Sequence, residues 1–203
     1  MSIEKALRSY LDGNGPKVKS SDFFQVIEDD NSNAIINVLF KLVNEDVDET
    51  MNNNKPKGMY LYGSFGSGKT YLISALFNEM AKKGINSVVV HYPRFLQVLK
   101  ASFKDDYDEV FNHIMKSPLL LLDDIGAEKV TDWSRDEVLG IILQYRAENH
   151  LATFFTSNLT LDELEKNLSL TSSGVDKVKA GRILDRIKQL TVYYELVSKN
   201  RRV

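Results

Sequence analysis

Residues 63–70, Gly63-Ser64-Phe65-Gly66-Ser67-Gly68-Lys69-Thr70, read G-x-x-x-x-G-K-T without a mismatch. A glycine-rich turn that binds nothing can share so short a pattern, so the flanks decide. Before it stands MYLY, apolar and strand-like. After it, Leu72, Ile73, Leu76, Phe77 and Met80 fall on one helical stripe between about Lys69 and Lys83. Strand, glycine turn and helix in that order are the context in which this pattern cradles phosphate. Glycines let successive backbone N–H groups converge on one anion. The first helical turn adds the positive end of its dipole. The expected contacts with ATP are therefore Gly63, Ser64, Phe65, Gly66, Ser67, Gly68, Lys69 and Thr70, with Tyr71 directly behind them. Lys69 reaches the β- and γ-phosphates and Thr70 offers its hydroxyl to Mg²⁺.

Outward from this loop, short β-like runs alternate with helical patterns, which predicts an α/β sandwich with a five-stranded parallel sheet between helical layers. The strands are read at Gly58–Tyr62, Ser87–His91, Leu119–Asp123, Ala152–Thr156 and Leu190–Tyr194. Ser134-x-x-Glu137 reads as a capping box heading a helix that turns Val138, Ile141, Ile142 and Tyr145 inward. Thr160-x-x-Glu163 heads another. Residues 1–57 read as an acidic helical lead-in, with Ile35, Ile36, Leu39, Leu42 and Val43 at helical spacing and a polar breaker, MNNNKP, at 51–56. The α/β domain then spans 58–203.

Leu119-Leu120-Leu121-Leu122-Asp123-Asp124 is a buried-strand pattern with two carboxylates at its carboxyl end, where open parallel sheets place ligands. Beside a phosphate loop, Asp123 is expected to hold Mg²⁺, usually through water, and Asp124 to polarise the attacking water. Standing alone, the same residues would read as an acidic turn. Asn158, at the tip of the next strand, fits two roles: an amide directed at the γ-phosphate or its water, or a turn and capping residue. Arg182 and Arg186, four apart in GRILDRIKQL, share a helix face. Either they are solvated charges beside Asp185, or one stabilises charge in phosphoryl transfer from the same or a neighbouring subunit.

Composition excludes several classes. The 203 residues contain no Cys, which removes disulfides, thiolate-bound zinc and a thiol nucleophile. Three scattered His argue against a histidine metal site. No apolar run approaches the roughly 18 residues of a membrane span, and MSIEKALRSYLDGNG has no apolar signal core. No membrane partner is expected, and the cytoplasmic location is the default. Charge is uneven: net −3 over 1–57, −4 over 58–173 and +5 over 174–203. A basic end on an acidic body suits an anionic partner, or is simply a solvated helix surface.

Taken together, KGMYLYGSFGSGKTYL, LLLLDDIGAE, TDWSRDEVLGIILQYR, FFTSNLTLDEL and GRILDRI resemble the AAA+ ATPase domain of bacterial replicative helicase loaders of the DnaC/DnaI type, over roughly 58–203. The resemblance implies a P-loop AAA+ (ASCE) three-layer αβα sandwich with a much reduced C-terminal lid. It implies ATP and Mg²⁺ as cofactors, slow hydrolysis stimulated by partner or DNA, and a hexameric replicative helicase and single-stranded DNA as partners. ATP-bound subunits would associate head to tail. Asn158 would be the sensor-1 residue, Arg186 an arginine finger reaching a neighbour's ATP with Arg182 beside it, and Arg201 similar in position to a sensor-2 arginine.

The chain departs from the family in places. The general pattern ends its second acidic element in Asp-Glu, whereas Asp123-Asp124 shortens the catalytic arm by one methylene; Glu128 is a possible helper. The loaders' N-terminal helicase-binding domain, with zinc-binding cysteines in one branch, has no match in a lead-in without Cys. In such loaders the segment between the two acidic and glycine-rich elements grips single strands. Here Tyr92, Arg94, Phe95, Lys100 and Lys104 are the candidates for stacking and phosphate contacts, though Phe95, Leu96 and Leu99 also carry core spacing. Three other functions share these features: a transposition helper ATPase of the IstB type, a non-hydrolysing nucleotide-gated adaptor, and a small-molecule kinase. The TDWSRDEVLG run favours the loader, and Ser157-Asn158 with Arg186 argues against the kinase.

Overall fold

Runs of four to six residues that can bury both faces become the strands of one sheet. In this computed structural model the residues described are 35, 37–39, 58–82, 84–101 and 104–197. Strands β1 (Gly58–Tyr62), β2 (Ser87–His91), β3 (Leu119–Asp123), β4 (Ala152–Ser157) and β7 (Thr191–Glu195) lie parallel in the order β2-β3-β4-β1-β7. Helices α1 (Lys69–Lys82), α2 (Tyr92–Ala101), α3 (Lys104–Lys116), α4 (Gly140–Glu148), α5 (Leu161–Ser169) and α6 (Lys177–Leu190) connect and cover them. A short antiparallel hairpin, β5 (Leu170–Thr171) and β6 (Gly174–Val175), joins α5 to α6.

Strand parity divides the core into two layers. Met59, Leu61, Leu119, Leu121 and Phe154 face α1, where Leu72, Ile73, Leu76, Phe77 and Met80 meet them. Tyr60, Val88, Val90, Leu120, Leu122 and Phe155 face the opposite layer, built from α2 to α6. The three-layer sandwich is thus the expected one. Ile35 and Leu39, buried within the α1-side core, bring part of the lead-in into it. Ile36, Leu42, Val43 and the breaker at 51–56 lie outside the described residues, as do Lys83, Phe103 and Arg201.

One close approach demands glycine. A Cβ at Gly58 would sit 1.7 Å from the Thr153 carbonyl oxygen, so β1 can start beside β4 only without a side chain. The stretch after Asn158 builds the sandwich itself. Ala180, Ile183, Leu184, Ile187 and Leu190 of α6 are buried in the core, and β7 closes the sheet against β1.

Local details depart from the sequence reading. β4 runs one residue further, to Ser157. β7 begins at Thr191 because Leu190 stays helical and buried. The expected Ser134/Glu137 box is replaced by a reciprocal pair one turn earlier. Thr131 Oγ1 accepts from the Ser134 N–H at 3.1 Å, and Ser134 Oγ accepts from the Thr131 N–H at 2.9 Å. The helix then opens as a π-helical segment, Trp133–Leu139, which ends where the Gly140 N–H donates to the Arg135 carbonyl five residues back. The wider turn rotates the following face. Val138 and Ile142 are inward as expected, joined by Leu139 and Leu143, but Ile141 is 47% exposed and Tyr145 is only half-buried.

Arg146 is the largest departure, a fully buried arginine with no carboxylate partner among its hydrogen bonds. Its guanidinium donates to the carbonyls of Met115 (3.1 Å), Ser117 (2.8 Å) and Ala152 (2.6 Å) and to Thr153 Oγ1 (2.8 Å). The charge thereby caps the carboxyl end of α3 and ties it to the start of β4. Burial pushes its pKa down to about 9, which leaves it protonated at neutral pH. Arg146→Met keeps the bulk and removes the donors. Each orphaned carbonyl costs about 1–3 kcal/mol, so the urea midpoint should fall by the equivalent of about 3 kcal/mol or more. An unchanged midpoint would show that these bonds contribute nothing net.

Candidate nucleotide site

The loop leaves β1 at Tyr62 and enters α1 at Lys69. Gly63, Gly66 and Gly68 all have positive φ (149°, 75° and 98°). Gly63 is also sterically required, since a Cβ there would come within 2.5 Å of the Leu196 carbonyl oxygen. Leu196 is placed by its N–H, which donates to the Tyr62 carbonyl at 2.7 Å and prolongs the β1–β7 ladder past Glu195. Ser67, on the curve of the loop, is buried, whereas Phe65 points outward at 71% exposure.

Lys69 is nearly buried, and its ammonium is held by oxygens. It donates to the Gly63 and Ser64 carbonyls, both at 2.8 Å, to Ser67 Oγ at 3.4 Å and to Asn158 Oδ1 at 3.0 Å. The last of these bonds crosses from the loop to the tip of β4. Asn158 then passes the connection on, its Nδ2 donating to Asp124 Oδ1 at 3.1 Å. His91, at the end of β2, stands on the other oxygen, with Nε2 3.8 Å from Asp124 Oδ2. The ends of β2, β3 and β4 thus meet at the Asp124 carboxylate, and the loop is joined to it through Asn158.

Asp123 is anchored separately. Its Oδ1 accepts from Thr70 Oγ1 of α1 at 2.7 Å and from Thr156 Oγ1 of β4 at 2.6 Å. Where β3 ends, the chain turns sharply: Asp124 takes a left-handed φ of 61°, which an aspartate tolerates better than most residues. The turn is pinned by the Asp124 N–H on Thr156 Oγ1 (2.9 Å), the Ile125 N–H on the Thr156 carbonyl (3.0 Å) and Ser157 Oγ on the Ile125 carbonyl (2.7 Å). Glu128 Oε2 accepts from the Gly126 N–H at 2.8 Å. Burial, aided by the nearby Asp124 charge, pushes the Glu128 carboxyl above the usual carboxylate range. Glu128 thus helps to hold the turn through the Gly126 N–H.

The structure brings Lys69, Thr70, Asp123, Asp124 and Asn158 into one cluster at the carboxyl ends of β1, β3 and β4. It does not bring Arg186 there. That guanidinium donates through Nε to Gln144 Oε1 of α4 at 2.7 Å, through Nη2 to the same oxygen, and through Nη1 to the Arg182 carbonyl at 3.3 Å. Both arginines line a groove between α4 and α6 with Met115, Ile141, Tyr145 and Ile183.

For the two stacking candidates the core alternative holds. Tyr92 and Phe95 are 1% and 0% exposed, with Tyr92 OH donating to the Ser134 carbonyl, because both fall on the core face of α2. Arg94 and Lys100 are exposed, and the Lys100 ammonium lies 5.5 Å from the centre of the Trp133 ring. The side chain of Lys104 lies outside the description.

Sequence reasoning missed Thr156 and His91. Thr156 looked like one more strand residue, and the proximity of His91 to Asp124 follows only from the β2–β3 register, His91 opposite Asp123.

A glycine loop opening a helix, a buried lysine, and paired acids at the tip of the adjoining sheet define a P-loop ATP-binding domain of the AAA+ type. The chain belongs to the IstB-like ATP-binding protein family, whose model matches residues 49–196. It is 45% identical over 150 residues to the replicative helicase loader DnaI of Bacillus subtilis, a stretch that covers 73% of this chain and 48% of that protein. It superposes on a crystal structure of DnaI with a TM-score of 0.76 at 39% identity, covering 90% of each chain. The DnaC helicase loader shares the fold, with a TM-score of 0.60 at 22% identity over 96% of this chain and 99% of that one. The chain spans about half the length of the curated relatives it matches. No helix among the described residues is long and apolar enough to cross a membrane.

Proposed function

We propose that this chain binds ATP with Mg²⁺, hydrolyses it slowly, and uses that cycle in the cytoplasm to help place a hexameric replicative helicase on single-stranded DNA. The observation that carries the ATPase part is the linkage of Lys69, Asn158 and Asp124, which joins the phosphate loop to the acid that would act on water. The loader part is supported by the 45% identity to DnaI.

The donor set suits a magnesium nucleotide. Thr70 Oγ1 and Asp123 Oδ1, 2.7 Å apart, match the sparse protein ligation of Mg²⁺, whose other positions go to water and phosphate oxygens. When bound, the ion neutralises charge on the β- and γ-phosphates. Loop N–H groups and Lys69 orient the triphosphate. Asp124 accepts the proton of the attacking water, with its carboxylate aimed by the Asn158 amide. Its shorter arm places that base one methylene further back than a glutamate, which suits slow turnover. Arg186, tied to Gln144 rather than to its own loop, would complete the site of a neighbouring copy. Such a head-to-tail contact builds rings or helical filaments. Arg94 and Lys100 supply phosphate contacts for a single strand.

The family match favours one second reading, a transposition helper acting on duplex DNA. Fluorescence anisotropy with labelled single-stranded and duplex DNA, with ATP and with ADP at two salt concentrations, separates the two. Phosphate contacts make salt a necessary variable. Tighter single-strand binding in ATP is expected; duplex preference in both nucleotide states would overturn the loader reading.

A further inference from the structure

We infer that Thr156 is a positioning residue that holds both β3 carboxylates in working order, Asp123 through its side chain and Asp124 through its backbone; this rests on the ATPase reading above. Thr156 lies on β4 directly after Phe154 and Phe155 and is 1% exposed. A hydroxyl at so buried a place is costly unless it is bonded in full. Its proton goes to Asp123 Oδ1 at 2.6 Å, and its lone pair takes the Asp124 N–H at 2.9 Å. Paired β3–β4 positions run to Leu122 and Phe155, and the next residue to need an acceptor from β4 is Asp124. The Thr156 side chain supplies it at the point where β3 leaves the sheet with φ 61°.

Asp123 Oδ1 receives two hydroxyls, from Thr70 and from Thr156. Thr70 is the one that Mg²⁺ would recruit. Thr156, sealed within the sheet, is the donor that no ligand reaches. It therefore fixes the carboxylate whichever way Thr70 turns, and the same oxygen locks the backbone that sets the direction of Asp124. Removing outer partners of this kind typically costs about 10–100-fold in metal affinity or activity.

Thr156→Val removes the hydroxyl at nearly constant volume, and Thr156→Ser restores it without the methyl. Three quantities are measured on the full chain: affinity for a fluorescent ATP analogue with and without Mg²⁺, steady-state turnover against Mg²⁺ concentration, and melting temperature. For Thr156→Val, metal-free nucleotide affinity should stay at the wild-type value. The Mg²⁺ needed for half-maximal effect should rise about 10–100-fold, with kcat lowered and KM for ATP little changed. Thr156→Ser should recover both Mg²⁺ response and kcat even if its melting temperature falls. A Thr156→Val chain with wild-type Mg²⁺ response, or a Thr156→Ser chain as impaired as Thr156→Val, would overturn the inference, the latter by assigning the effect to methyl packing. If Thr156→Val does not fold, Thr156→Ala carries the same comparison. If the wild type shows no turnover, the ATPase reading fails, while the Mg²⁺ dependence of nucleotide affinity still decides Thr156.

Discussion

Lys69→Ala should abolish measurable nucleotide binding while leaving the domain folded. The ammonium is a cation that the fold drives into the loop, nearly buried and aimed by Gly63, Ser64 and Asn158. Hydrogen bonds to charged groups contribute about 1.5–3 kcal/mol each. Losing two such contacts to the β- and γ-phosphates should weaken ATP binding by roughly 100-fold or more. The partners left behind are the Gly63 and Ser64 carbonyls, Ser67 Oγ and Asn158 Oδ1, and with Ser64 exposed and Asn158 half-buried, water can enter the vacated space and serve them. Melting temperature should therefore move far less than affinity. Anisotropy of a fluorescent ATP analogue gives the affinity, and a thermal melt gives the control. Wild-type affinity in a folded Lys69→Ala chain would remove the loop from the nucleotide site and with it the ATPase reading.

What the sequence made legible is what local rules determine. The loop, its helix and the strands came from contiguous patterns: glycines at fixed offsets, a 3.6-residue stripe and short apolar runs. Asp123, Asp124 and Asn158 could be nominated because parallel sheets gather their ligands at strand ends, and the structure does bring them beside Lys69 and Thr70. What stayed hidden depends on partners distant in sequence. No local pattern singles out Arg146, because its partners lie on α3 and at the start of β4. The π-helical segment escaped because its extra residue per turn leaves no mark in composition and rotates Ile141 outward. Tyr92 and Phe95 stayed open between two roles, since aromatic residues beside cations suit both a stacking platform and a core face. Burial decides between the two, and spacing alone does not.

Arg186→Ala tests the part of the reading that no single chain can display. In the structure this guanidinium is held by Gln144 and the Arg182 carbonyl and lines the groove between α4 and α6, as does the exposed Ile141. None of its hydrogen bonds is to Lys69, Thr70, Asp123, Asp124 or Asn158. If it acts on phosphate, it must act on a neighbour's. The variant should therefore bind ATP with wild-type affinity and lose turnover by roughly 1,000-fold, the low end for an arginine that stabilises phosphoryl transfer. The decisive version mixes two inactive chains. Lys69→Ala retains Arg186 but holds no nucleotide. Arg186→Ala holds nucleotide but lacks the arginine. At concentrations where copies associate, phosphate release should reappear in the mixture, because each Lys69→Ala subunit supplies Arg186 to the ATP on its neighbour. Restored turnover fixes both the residue and the direction of the contact. Turnover of Arg186→Ala equal to wild type would instead make Arg186 an ordinary bridge between α6 and α4, and the charge stabilisation would have to come from another residue.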